Sequence, residues 1–396
     1  MFAIFLVASC LLWQSTSASP THSSARPDGW CKQLDIPVFA TAPSAIYDIP
    51  QVHNDIEATA WAIYDATRST LHGPGNIVKN TTTSGTFNIH AQLCIPRSPK
   101  KRDILQLATH GVHFDSRYWD SRYQPEKTSY VDATLKAGYS IFTYDRLGVG
   151  QSGHPDAYSV VQAPLELEIL RQLTLMAYNG TLYDFAMKAK PSKPGFINLT
   201  KPHKIVHVGH SFGSFLTSAF IAKYGNLTDG AIITGFLLSE FLAQTGSTTF
   251  AVEYAATSSP PYDRTSGYVV STKAGIQNVF FGGNLLTAFT PEMLDYGNSI
   301  KQPVPIGEFA SAFSLLGNFG PSFKAPLQYV LPEQDFYICR GDCNSLANVT
   351  ALNATYPHNT ALEVVVQPNT GHALPLHNNA TAGFQLTYDF LARNGL

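Results

Sequence analysis

Charge is what this chain has least of. Asp, Glu, Lys and Arg make up 14% of its 396 residues, against about 25% in an average soluble domain. The 26 basic and 28 acidic side chains leave a formal charge of -2, and no block of Lys and Arg offers the phosphate footprint that nucleic acid requires. A nucleic-acid partner is therefore not expected. Cysteine is scarce too, at five residues. Long apolar runs are confined to the start of the chain; later candidates such as Ala231–Leu238 are strand length, whereas a bilayer span needs about 20 residues. No membrane span is expected, and no internal repeat or low-complexity tract is visible. Core-forming residues, in contrast, are plentiful: 44% are hydrophobic and 12% aromatic, which excludes disordered and collagen-like classes. Solubility then has to come from hydroxyls, amides or attached sugars.

Three features point to export. Residues 1–18 hold an apolar run from Phe2 to Trp13 followed by small polar residues, with Thr16 and Ala18 at the minus-three and minus-one positions of a signal peptide. With Cys10 removed in that leader, Cys31, Cys94, Cys339 and Cys343 remain, an even number suited to an oxidising compartment. The expected pairing is Cys31 with Cys94 and Cys339 with Cys343, the latter two being neighbours in one loop. Asn80, Asn179, Asn198, Asn226, Asn348, Asn353 and Asn379 each begin an N-x-[ST] sequon, so a secreted glycoprotein is expected.

Residues 19–84 carry no recognisable motif. Residues 19–30 are rich in Ser and Pro and read as loose; Ile56, Ala60, Trp61, Ile63 and Tyr64 then recur at helical spacing behind Asn54 and Glu57, a capping-box pattern. From Phe87 onward strand-like and helix-like runs alternate. Strands are expected at Phe87–Ile95, Ile104–Thr109, Ser140–Tyr144, Lys204–Val208, Ala231–Leu238, Gln328–Leu331 and Leu362–Val366. Helices are expected at Tyr130–Ala137, Leu165–Tyr178, Phe212–Tyr224 and Thr381–Ala392. Strands separated by helices imply an α/β fold with a mostly parallel sheet flanked by helices. About ninety residues separate the strands at 231 and 328, far more than a crossover needs. The surplus, residues 244–324, is rich in Phe (Phe280, Phe281, Phe289, Phe309, Phe313 and Phe319) and reads as a cap inserted between the core parts 85–243 and 325–396.

Chemistry enters at Gly209-His-Ser211-Phe-Gly213, which matches G-x-S-x-G. The pattern follows the apolar strand Lys204–Val208 directly and opens a helix, the strand-turn-helix context of a nucleophile elbow. Gly209 and Gly213 suit so tight a turn, and Ser211 becomes the candidate nucleophile. A serine hydroxyl needs a base, and the base needs an orienting acid. The chain order Ser, acid, His selects Asp335, just past the strand at 328–331, and His372, just past the strand at 362–366. Glu240 and Asp342 are the weaker acids in that order, and His358 and His377 read as surface histidines. The developing oxyanion requires fixed N–H donors. Phe212, next to the nucleophile, and Val112, in the loop His110-Gly111-Val112-His113, are the candidates.

Two lookalikes are set aside. Gly148-Val-Gly150-Gln-Ser-Gly153 fits G-x-G-x-x-G, but Pro155 and Pro164 deny it the helix that would hold a pyrophosphate. Arg340-Gly341-Asp342 between two cysteines resembles an adhesion tripeptide, a match too short to carry a role. His110 and His113 lack a carboxylate or thiolate in register, so no metal site is expected.

His110-Gly111, Tyr144-Asp-Arg-Leu-Gly-Val-Gly-Gln-Ser152, Gly209–Gly213, Asp335 and Gly371-His372, in this order, resemble the α/β-hydrolase superfamily from about residue 85 to 396, and the chain is similar to secreted fungal members. The second segment resembles D-x-R-G-x-G-x-S, with Leu147 in place of a Gly; Asp145 and Arg146 there are read as structural. The resemblance implies a capped serine hydrolase working through an acyl-enzyme without cofactor. Its expected substrate is a small, fairly apolar carboxylic ester or lactone. Alternatives within the superfamily are a prolyl-type aminopeptidase, with Glu253 or Asp263 binding the amine, and a non-hydrolytic or C–C-cleaving enzyme. A silent adhesion protein would have no use for all three filled positions.

Overall fold

The computed structural model describes residues 26–71, 77–190, 194–237, 247–315 and 320–396. The expected leader at 1–18, Cys10, Glu240 and Phe319 lie outside the described residues.

Its main sheet is built from β1 (Gly29–Tyr47), β2 (Ile77–Pro96), β3 (Lys101–Thr109), β4 (Tyr139–Tyr144), β5 (Lys204–His210) and β6 (Gly230–Thr234). A separate three-stranded sheet follows, with β7 (Val252–Tyr254), β8 (Tyr268–Ser271) and β9 (Val304–Pro305); β10 (Leu327–Pro332) and β11 (Leu362–Gln367) complete the main sheet. The order is β1-β2-β4-β3-β5-β6-β10-β11, with β1–β2 and β2–β4 antiparallel and the remaining pairs parallel. Every residue of β4 and β10 is buried, as expected where helices cover both faces of a parallel sheet.

The expected strands and helices from Phe87 onward all occur, with every end but one moved by four residues or fewer. The largest shift is in β2, which begins at Ile77, ten residues before the expected Phe87; next comes β6, which stops at Thr234 because Gly235 turns with φ of +55°, four residues short of the expected end. The N-terminal segment departs most from expectation. Residues from Gly29 are ordered strand, and β1 pairs with β2 along its whole length. Its alternation of buried and exposed residues is regular, but Pro37, Pro43 and small Ala residues mask the pattern. Those prolines are tolerated because β1 is an edge strand. The register sets Cys31 opposite Cys94, and they are disulfide-bonded; Cys339 and Cys343 form the second bridge.

Between β6 and β10 lie the small sheet and the helices Lys273–Phe280, Pro291–Ser299 and Ile306–Ala312. The early helix Asp55–Leu71 packs against this insertion, with Trp61 set edge-on to Phe309 at 5.5 Å. Asn54 caps it, accepting from the Glu57 N–H at 3.0 Å. Glu57 does not close a capping box; its carboxylate accepts from the N–H of His53.

Candidate active site

β5 delivers the chain to Ser211 at φ +53° and ψ −119°, a left-handed conformation strained for a side chain with a Cβ. Neighbouring glycines make the turn possible. A Cβ on Gly209 would lie 2.5 Å from the Ser214 Cα, and one on Gly213 would lie 2.1 Å from the Thr109 carbonyl oxygen. The turn is held from β6, whose Thr234 carbonyl accepts from the Ser211 N–H at 2.9 Å and from the Ser214 hydroxyl at 2.8 Å.

Ser211 Oγ lies 2.8 Å from His372 Nε2, and His372 Nδ1 lies 2.6 Å from Asp335 Oδ2. All three are buried. A carboxylate only accepts, so Nδ1 carries the imidazole proton and Nε2 is left to accept from the serine hydroxyl. Asp335 is held by its other oxygen, which accepts from the Ile338 N–H at 2.9 Å. The backbone around it is drawn tight next to the Cys339–Cys343 bridge: its carbonyl accepts from Cys339 and Gly341, and Cys343 donates to the Glu333 carbonyl. The other acid in that loop, Asp342, is exposed.

His377 is not a surface residue. It is buried and locks the turn that carries His372: its Nε2 accepts from the Gly371 N–H at 3.0 Å, while Nδ1 faces the Ala373 carbonyl at 2.9 Å. Burial pulls its pKa down to about 4. The sequence could not show this, because His377 is buried by Phe281 and Phe289 of the insertion. His358 is exposed, as expected.

The expected oxyanion donors flank Ser211. Phe212 opens the helix Phe212–Tyr224. The His110–His113 loop presses on the elbow so closely that a Cβ on Gly111 would meet the Ser211 Cβ at 2.8 Å. His110 has no nitrogen left for a metal: Nδ1 bonds the Gly111 carbonyl at 2.7 Å, and Nε2 accepts from the Arg146 N–H at 3.0 Å. Asp145 ties down the Gly148–Gly153 loop, accepting from the N–H groups of Ser116 and Gln151, and the next helix begins only at Ala163. Burial first, and then Asp115, raise the Asp145 pKa to about 6.

Sequence reasoning missed the partners of Arg146. The guanidinium bonds Glu166 at 2.6 Å and Glu308 at 3.1 Å, all three buried, and stacks over the Phe212 ring at 4.8 Å. Glu308 belongs to the insertion, so this cluster joins the insertion to the sheet beside the nucleophile. The ring nearest His372 is His210, at 4.8 Å, followed by Phe280 and Tyr337 at 5.6 and 5.8 Å. The base loop also bonds the insertion directly, since the Ala373 N–H donates to the Phe280 carbonyl. Of the suggested amine-binding acids, Asp263 is exposed and Glu253 lies 3.8 Å from Lys301. Among the described residues no helix is long and apolar enough to cross a membrane.

In comparisons with known proteins, no curated protein matches the chain. Among solved structures it is similar to a thermophilic esterase from Thermogutta terrifontis, at 14% identity over 79% of this chain and 96% of that one, with a TM-score of 0.49. It is also similar to a methylesterase from Arabidopsis, at 14% identity over 73% and 99% of the two chains and a TM-score of 0.46. The alpha/beta hydrolase family matches residues 107–384, a stretch that spans the elbow, both partner loops and the insertion, and the chain belongs to that family.

Proposed function

We propose that this chain is a secreted serine hydrolase that cleaves a small, fairly apolar carboxylic ester or lactone. The observation that carries the reading is the unbroken line Ser211–His372–Asp335 beneath an aromatic insertion. In the proposed reaction His372 Nε2 takes the Ser211 proton as Oγ bonds the substrate carbonyl carbon, and the carbonyl electron pair moves to oxygen. The Phe212 and Val112 N–H groups would hold that oxyanion. Collapse of the intermediate expels the alcohol, which takes the proton from His372. Water then attacks the acyl-enzyme, His372 accepts its proton, and release of the acid returns that proton to Ser211. Asp335 orients the imidazole and balances its positive charge throughout.

The apolar substrate preference is drawn from Phe280 and Tyr337, which pack on the base, and from Phe250 behind them. Export is supported by the sequons: six have exposed Asn side chains, while Asn379 is half-buried and donates to the Pro368 carbonyl, so Asn379 is expected to stay unglycosylated. The aminopeptidase reading loses support, because Asp263 points to solvent and Glu253 is paired.

The test is labelling of the purified protein with a fluorophosphonate beside Ser211→Ala, followed by p-nitrophenyl esters of rising acyl length. Labelling lost in the variant and turnover highest on short chains are expected. Absence of labelling in folded protein would overturn the nucleophile assignment.

A further inference from the structure

His113 is the histidine of the site loop whose ring nitrogens neither the triad nor the fold employs. It is fully buried yet adopts φ of +61°, an arrangement few side chains take up. Its carbonyl is engaged, accepting from the Gln302 N–H at 2.8 Å. Both ring nitrogens are buried without a hydrogen-bond partner; the Gln302 backbone approaches the ring without reaching bonding geometry. Leaving buried polar atoms unpaired is costly. Burial, with Lys301 and Arg146 nearby, lowers the ring's pKa to about 3, so it offers one N–H donor and one acceptor at neutral pH.

Its position ties it to the candidate site. His113 follows Val112 directly and packs on Phe250 at 4.6 Å. Phe250 reaches Tyr337 at 5.1 Å, and Tyr337 reaches His372 at 5.8 Å. His113 and the base thus stand at the two ends of one row of rings. The cations near His113 are already committed: Lys301 donates to the Ser271 carbonyl and lies near Glu253, and Arg146 bonds Glu166 and Glu308. A charged substrate group would find no free counterion in either, whereas a neutral oxygen suits the imidazole.

Resting on the ester-hydrolase reading, we infer that His113 is a specificity-determining residue whose ring nitrogens receive a neutral hydroxyl carried by the substrate near the scissile ester. The substrate class is therefore a hydroxylated acyl ester rather than a plain alkyl one.

The experiment compares kcat/KM for p-nitrophenyl butyrate with that for its 2- and 3-hydroxy analogues, in the native enzyme, His113→Phe and His113→Asn. The native enzyme is expected to prefer at least one hydroxylated ester by about tenfold or more. His113→Phe should erase the preference, lowering kcat/KM for the hydroxylated ester about tenfold more than for the plain one, and His113→Asn, which tolerates the left-handed backbone and keeps a donor and an acceptor, should restore part of it. Lack of preference in the native enzyme, or equal losses on both substrate types in either variant, overturns the inference. Should His113→Phe not fold, His113→Asn decides by whether its loss is confined to the hydroxylated ester. Fluorophosphonate labelling of the native enzyme separates this failure from failure of the hydrolase reading itself.

Discussion

Two buried polar clusters meet at Phe212, and they are built on opposite plans. In Ser211–His372–Asp335 the partners stand in series, each link joining one donor to one acceptor, with the free oxygen of Asp335 satisfied by Ile338. In Arg146–Glu166–Glu308 one cation stands between two carboxyls that face each other, and Arg146 Nε has no partner. Burial raises the pKa of both glutamates against the pull of Arg146, and the pair favours keeping a proton. The first arrangement can pass a proton along its length. The second fastens the helix Ala163–Asn179 to the insertion helix Ile306–Ala312. Buried charge by itself therefore says little about chemistry; the order of donors and acceptors does.

The contrast predicts a double dissociation. Asp335→Asn should present the wrong imidazole tautomer and lower kcat by about 10⁴ while the melting temperature holds; stopped kinetics and calorimetry on one preparation check both. A variant that keeps near-native kcat would dissolve the distinction between the clusters. Arg146→Met should do the reverse. Removing one partner of a buried ion pair costs about 3–5 kcal/mol, read as a shift in the urea midpoint, while kcat/KM falls by less than about tenfold because no reacting atom is touched. The smallest effect belongs to Glu308→Gln. A carboxyl whose folded pKa is raised stabilises fully below its unfolded pKa, and that stabilisation is lost as pH rises through the folded value. Native protein should lose stability between pH 5 and pH 8 by more than Glu308→Gln does. Parallel urea curves at the two pH values would show that the Glu166–Glu308 pair carries no retained proton.

The elbow was legible in the sequence because strand, turn and helix are contiguous from Lys204 to Tyr224. Asp335 and His372 were singled out by chain order and their place just past apolar strands, and the structure brings both into line with Ser211; the disulfide pairs were read from spacing and parity. The residues that escaped notice share another property. Glu308 is separated from Arg146 by 162 positions, and the helix at Asp55 meets an insertion that begins far downstream. His377 read as a surface residue because the aromatic rings that bury it come from the insertion.

Sequence alone determined the alternation of elements, the tight glycine turn and the residue types able to form a nucleophile, base and acid, since these depend on short-range sterics and period. Tertiary structure alone decided which charges are paired, which histidines are buried neutral and which polar atoms are left without partners. Those properties arise from desolvation and from contacts between segments far apart in the chain, and local spacing carries no record of either.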